Sequence, residues 1–175
     1  MTRLTTLLLG AALTASGLSA HIPAAHAADA AATRDKAAIE ALEARFAAAF
    51  NARDVDAIMR VYEPGSGLFV FDVNPPRQHV GWDDYKADWV QTLKTTPGQF
   101  HFSISDLSVT VVGPVAYGHS IQTMRFAPEN GSQRSLVVRV SDVYRKMRGR
   151  WLIVQEHVSV PVDLDTGKAD LLSQP

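Results

Sequence analysis

Apolar residues recur at helical spacing early in the chain and in alternation later. Ile39, Leu42, Phe46 and Phe50 return every three or four positions, with Glu40, Glu43 and Arg45 pointing elsewhere, and predict a helix over about 33–51. Thr33 is its candidate cap, with Lys36 in place of the acid that completes a capping box. Asn51-Ala52-Arg53-Asp54 breaks the pattern, and Asp54 caps a short second helix over 55–62, stopped by Pro64-Gly65-Ser66-Gly67. A Phe- and Val-rich strand over 68–73 ends at Asn74-Pro75-Pro76. Gly81 then precedes a third helix over 82–93, closed by Thr95-Thr96-Pro97-Gly98. Beyond it the period falls to two. Four strands are predicted, over 100–112, 115–128, 133–146 and 151–160. Gly113-Pro114, Glu129-Asn130-Gly131 and Arg148-Gly149 join them, and the last two are good hairpin signals. The polar tail from Pro161 is expected to be loosely attached.

Helices first and a strand meander after argue for an α+β fold, with helices on one face of an antiparallel sheet. A curved sheet wrapped around N-terminal helices makes a cone with an apolar pocket at its open end. The chain shows no internal repeat and no second domain. The first 27 residues stand apart. Arg3 supplies a positive charge, 4–18 is uncharged and contains Leu7-Leu8-Leu9, and Ala25-His26-Ala27 is an A-x-A cleavage site. The apolar run is short for a membrane span, so 1–27 reads as a signal peptide rather than an anchor. Cleavage after Ala27 leaves one domain over 28–175. The expected location is periplasmic or secreted, without membrane attachment after cleavage.

Composition narrows the chemistry. The 175 residues are 46% hydrophobic and 20% charged, an ordinary globular mixture. With 17 basic and 18 acidic residues the formal charge is −1, so there is no global field for nucleic acid. Cysteine is absent, which excludes disulfides, thiol nucleophiles and thiolate metal sites. The histidines of the mature chain, His79, His101, His119 and His157, lack metal-ligand spacing, and no metal is expected. No zinc-protease, nucleophile-elbow, P-loop or dinucleotide motif occurs, so no cofactor is expected either. The basic run Arg145-Lys146-Met147-Arg148-Gly149-Arg150 sits in a hairpin and reads as a solvated turn.

Several residues carry candidate chemistry. Asp72 ends an otherwise apolar strand, where it either caps the following turn or stands at a pocket rim, desolvated enough to act as a base. Asp142 alternates with Val138 and Val140, so that face buries all three; the acid is then neutral, or salt-bridged to Arg139, Arg125 or a helix lysine. His119 shares a face with Val115, Tyr117 and Ile121, on a strand expected beside that of Asp142. Tyr62, Trp82, Tyr85 and Trp89 form an aromatic set with polar tips, suited to a flat apolar ligand or to the core. Alternation puts Glu156 with Val154 and Val158, and His157 with Ile153 and Gln155, so the two cannot act together.

Arg53-Asp54-Val55-Asp56-Ala57-Ile58 with Tyr62, Phe71-Asp72 with Gly81, and the late segments Asp142–Lys146, Gly149–Val154 and His157–Pro161 together resemble the SnoaL-like and ketosteroid-isomerase-like branch of the nuclear-transport-factor-2-like superfamily. The resemblance covers nearly all of 33–161. It implies a cystatin-like topology, but no single reaction. Carried over, Asp72 is the general base and Asp142 the protonated acid that donates to a developing oxyanion, the pairing for which ketosteroid isomerase is the standard worked case. His119 takes a pocket position and is expected to join Asp142 in stabilising that oxygen. Phe46, Tyr62, Tyr85, Trp89 and Val140 line a site for a small apolar ligand. The isomerases carry a tyrosine eight residues before the aspartate that opens helix two, where this chain has Phe46, so the main oxyanion donor is missing. The reading is a ligand-binding domain with cofactor-free acid/base chemistry, or a non-catalytic binding or dimerisation module. The second sheet face is expected to carry Val, Ile and Leu and to pair two copies into a homodimer.

Overall fold

The computed structural model describes residues 24–96, 98–127 and 134–172. The export segment lies outside these residues except for its last four positions, and so does the Glu129-Asn130-Gly131 turn. The element order is α1 (Ala24–Asn51), α2 (Val55–Met59), β1 (Phe69–Phe71), β2 (His79–Val80), α3 (Trp82–Thr95), β3 (Gln99–Val112), β4 (Val115–Ala127), β5 (Arg134–Met147) and β6 (Arg150–Ser159). The strands form one sheet in the order β2-β1-β6-β5-β4-β3, with β1 parallel to β6 and all other neighbours antiparallel. The helices cover one face, as an α+β fold with a curved sheet requires. None of the described helices is long and apolar enough to cross a membrane.

Helix α1 begins nine residues before the expected cap, because the Ala-rich stretch before Thr33 has the highest helix propensity. Thr33 is interior, and its hydroxyl donates to the Asp29 carbonyl at 2.9 Å. Residues 28–30 are exposed. Burial begins at Ile39 and continues through Leu42, Phe46 and Phe50, which pack chiefly toward β3. Glu43 belongs to this buried stripe: it stands four residues after Ile39 and three before Phe46, and is 2% exposed. The expectation that it points away fails on that spacing.

Asn51 pins the helix end. Its side chain donates to the Phe102 carbonyl at 2.9 Å and accepts the Phe102 N–H at 2.8 Å. Asp54 caps α2 by accepting the Ala57 N–H at 2.8 Å. On α3, Tyr85, Trp89 and Leu93 follow at four-residue steps, and all three are buried.

Two irregularities bend the sheet. One lies in β3 between Ser105 and Ser108, where Asp106 takes a φ of 53°. The other lies in β6: Val143 faces Gln155 and Tyr144 faces Ile153, which leaves Val154 as an extra residue. The bulge resets the alternation, so Glu156 shares the inner face with Ile153 rather than with Val154. Gly118 on β4 gives the inner face a close approach. A Cβ there would lie 2.9 Å from the Ser108 carbonyl oxygen and 3.3 Å from the Tyr144 ring.

The tail is attached rather than loose. β6 ends at Ser159, while β5 continues toward Arg134, leaving a bare edge. The tail folds back on itself through a Val162–Ala169 bridge, and the Val137 N–H donates to the Leu171 carbonyl at 2.8 Å. The β5–β6 hairpin is tied down as well. Arg145 pairs with Glu63 at 2.8 Å and Lys146 with Asp35 at 2.6 Å, so part of the basic run fastens the fold.

The outer sheet face is mixed, not uniformly apolar. Val115 and Tyr117 are 41% and 55% exposed. Around them stand His119, Arg139, Ser141, Arg145, Gln155 and His157, all exposed.

Candidate functional site

The cone encloses a cavity of about 80 Å³ between α1, α3 and the inner sheet face. Phe46, Phe50, Trp89, Phe102, Met124, Leu136, Val138 and Val158 make its walls apolar. The polar groups on it include Asp72, Tyr85, Asp88, Gln122 and Glu156; among the described residues no Lys, Arg or His lines it. A wider groove of about 640 Å³ runs along the alanines of α1 and lacks this convergence of acids and aromatic rings.

Phe46 is at the centre of the aromatic wall. Its ring meets Phe102 edge-on at 5.6 Å, Trp89 at 5.9 Å and Tyr62 at 6.2 Å. Trp89 also packs on Phe50 at 4.8 Å, and its buried indole N–H has no protein partner among the described residues. Trp82 stands apart from the cavity, and its indole N–H donates to the Met59 carbonyl at 2.9 Å.

Glu156 is the carboxyl at the cavity floor, 4% exposed. Tyr62 donates to its Oε2 and Tyr85 to its Oε1, both at 2.9 Å. Burial pushes its pKa up to about 8, against the pull of the two phenols and with the help of the Asp72 charge. Asp72 is half-buried on the cavity wall and also caps the following turn. Its Oδ1 accepts the Asn74 N–H at 3.1 Å, capping the turn, and its Oδ2 lies 3.4 Å from the Tyr85 hydroxyl. One phenol therefore stands between Asp72 and Glu156.

Asp142 is buried on the inner face, but it lies behind Glu156 and not on the cavity. Its register partners are Gly118 on β4 and Glu156 on β6. The Tyr144 hydroxyl lies 2.8 Å from Glu43 Oε1 and 3.2 Å from Asp142 Oδ2. Burial raises Asp142 well above the usual carboxyl range, and the nearby Glu156 and Glu43 charges add to the shift. Glu43 rises to about 7 for the first of those reasons. Arg139 and Arg125 do not pair with Asp142; the ion pairs among the described residues all lie elsewhere.

The remaining sequence candidates separate. Tyr85, Trp89 and Phe46 line the cavity. Tyr62 is buried behind it, acting through Glu156. Val140 is buried beside Asp142 but does not reach the cavity. His119 does not join Asp142: it is exposed on the outer face, opposite Ser141, because the face it shares with Val115 and Tyr117 is the solvent face. His157 is exposed on that face too, with its ring 5.5 Å from Phe71.

Sequence reasoning missed Glu43, Asp88, His79 and the inward turn of Glu156. Asp88 lies on the cavity, and burial raises its pKa while the adjacent His79 opposes the shift. His79 is 3% exposed, with Nδ1 3.3 Å from Asp84 and Nε2 3.9 Å from Asp88. Asp84 and Asp88 are one helical turn apart, which was the available signal. Among the described residues no group of three or more His, Cys, Asp or Glu side chains is arranged to hold a metal ion.

Comparison with known proteins fits this geometry. Residues 39–163 match the profile of the SnoaL-like domain. No functionally curated protein matches the sequence. Among solved structures, a nuclear-transport-factor-2-like protein of unknown function from Pseudomonas putida is 26% identical, with 82% of this chain and 98% of that one covered and a TM-score of 0.74. A protein with a cystatin-like fold from Nostoc punctiforme is 20% identical over 75% and 95% of the two chains, at a TM-score of 0.61. The association domain of the calcium/calmodulin-dependent kinase II of C. elegans is 18% identical over 74% and 98%, at 0.58. With the family profile spanning both the helical half and the strands, the chain belongs to the SnoaL-like domain family of the nuclear-transport-factor-2-like superfamily.

Proposed function

We propose that the cavity binds a small, mostly apolar carbonyl compound and moves a proton on it without a cofactor, with Asp72 as base and Glu156 as acid. The observation that carries this reading is the placement of two carboxyls in unlike surroundings on one apolar cavity, both within 3.4 Å of the Tyr85 hydroxyl oxygen. Glu156 keeps its proton at neutral pH and can donate it toward a substrate oxygen. Asp72, at the half-buried position, accepts the proton from the carbon next to the carbonyl. As the carbon–hydrogen electron pair moves into the dienol of a β,γ-unsaturated ketone, Glu156 stabilises the oxygen, and Asp72 returns the proton to the γ-carbon, two positions from the one it left, as the carbonyl re-forms and Glu156 retains its own proton. Glu156 thus supplies the donor that Phe46 lacks, from the opposite wall.

Asp72→Asn keeps the shape and removes the base. Turnover of a panel of small β,γ-unsaturated ketones is expected to fall by about 100-fold or more, with ligand affinity little changed. If the wild-type protein binds such ketones and turns none over, the proton-transfer reading fails and a non-catalytic binding module stands. If it binds none, the cavity reading fails as well.

A second reading concerns assembly. The exposed Val112, Val115 and Tyr117 lie at one end of the outer sheet face, and the likeness to an association domain supports the use of that face between copies. The reading includes export, cleavage after Ala27 and homodimerisation of 28–175. Residues 28–30 of α1 are exposed, so cleavage removes none of the described core. Light scattering with intact-mass measurement on periplasmic protein is expected to give a dimer starting at Ala28. A monomer at micromolar concentration, or an intact Met1, would refute it.

A further inference from the structure

We propose that Asp142 and Glu156 form a proton-sharing carboxyl dyad, in which the buried Asp142 is a positioning residue that donates to Glu156 when Glu156 gives up its proton. The inference rests on the reading of Glu156 as the cavity acid. Tyr144 has one hydroxyl proton and two carboxyl oxygens within reach, Glu43 Oε1 at 2.8 Å and Asp142 Oδ2 at 3.2 Å, so it satisfies one of them at a time. The other oxygen of Asp142, Oδ1, is buried and has no hydrogen-bond partner among the described residues. The side chain that Asp142 meets across the strands is that of Glu156, its register partner on the same inner face. A hydrogen bond between two carboxyls exists only if one of them carries the proton.

Geometry decides which one. Glu156 already accepts from Tyr62 and Tyr85, one phenol on each oxygen, an arrangement that favours its ionised form. Asp142 has only the shared Tyr144 hydroxyl. The proton that stays is therefore the one on Asp142, and Glu156 is the member that lets go. The charged and titratable groups that face Glu156 are Glu43 from α1, Tyr62 after α2, Asp72 after β1, Tyr85 from α3 and Asp142 from β5. None is cationic, and none of the described ion pairs includes Glu156. A lone carboxyl in that place would hold its proton too tightly to be useful. A neighbour that donates to the new carboxylate eases its release, and the dyad titrates in two steps that belong to the pair. Gly118 is what lets the Tyr144 ring lie close against β4, and Tyr144 links Glu43 to the dyad.

The test is a carboxyl carbon-13 NMR titration of the full chain, read independently of turnover. In wild type, both Asp142 and Glu156 are expected to be protonated at neutral pH, with Glu156 ionising first. Asp142→Leu removes the donor, and the pH at which Glu156 ionises should rise by about one unit or more. Asp142→Asn keeps an N–H donor and should restore most of the difference. In the reverse direction, Glu156→Gln should lower the pH at which Asp142 ionises, and this holds the proposal open to test if Asp142→Leu fails to fold. An Asp142 already ionised at neutral pH in wild type overturns the dyad. So does a Glu156 titration unmoved by Asp142→Leu, or an Asp142 titration unmoved by Glu156→Gln. A protein that turns over no ketone yet shows the expected shifts keeps the dyad and loses only the reaction.

Discussion

Between about pH 5 and pH 8 the protein is expected to lose about 3 kcal/mol of stability or more. The cause is the buried acid cluster. In the unfolded chain Glu43 and Glu156 release their protons near the ordinary value of 4.5, whereas in the fold they hold them to about 7 and about 8. The folded state therefore binds more protons throughout that window. Linkage then makes stability greatest below it and smaller as pH rises through it. Asp142, raised in the same direction, adds to the slope. Urea unfolding at both ends of the window checks this, and equal or greater stability at pH 8 would contradict it. The sign is the reverse of the usual acid denaturation, where salt-bridged carboxylates are lost on protonation. The ion pairs that could oppose it, such as Arg145 with Glu63 and Lys146 with Asp35, lie nearer the surface and are worth little each.

Glu156→Gln is expected to move stability and activity in opposite directions. Glutamine fills the same space, and its amide can serve the Tyr62 and Tyr85 hydroxyls without being forced to hold or release a proton. Stability at pH 8 should rise by about 1 kcal/mol or more, and the pH slope of unfolding should flatten. Turnover of a ketone substrate should fall by about 100-fold, because the oxygen loses its proton donor. In wild type the same group should impose an alkaline limb on the rate near pH 8. A glutamine variant that is both less stable and fully active would mean that Glu156 is held for packing alone. The opposed outcome is what distinguishes a carboxyl retained for chemistry at a cost in stability.

The strand meander and the three helices were legible because their signals are local. Alternation in the strands and the punctuation by Gly149 need only nearest neighbours in sequence. The site was legible in part. Asp72, Tyr85 and Trp89 lie on the cavity wall, as their positions at a strand end and on one helix face suggested. Glu43 was hidden by its own charge: its spacing places it in the apolar stripe, and only the Tyr144 hydroxyl across the core makes its burial tolerable. His119 was misplaced because a strand with apolar residues on both faces does not say which one is wet. Glu156 was misplaced because a bulge leaves no mark in composition. Val154 differs in nothing from the valines around it.

That extra valine gives β6 a property akin to a reading frame. Upstream of Val154 one parity of residue number faces the helices, and downstream the other does, so it is the absorption of this residue as a bulge, rather than in plain alternation, that brings Glu156 and not His157 into the core. Out of frame, the strand would offer an imidazole to the cone and a carboxylate to solvent, with every other residue unchanged. A catalogue of point substitutions would never find that difference. A single-codon deletion of Val154 would let the strand alternate without the bulge and still turn Glu156 inward, and relatives aligned here without regard to the bulge would compare residues that face opposite sides of the sheet.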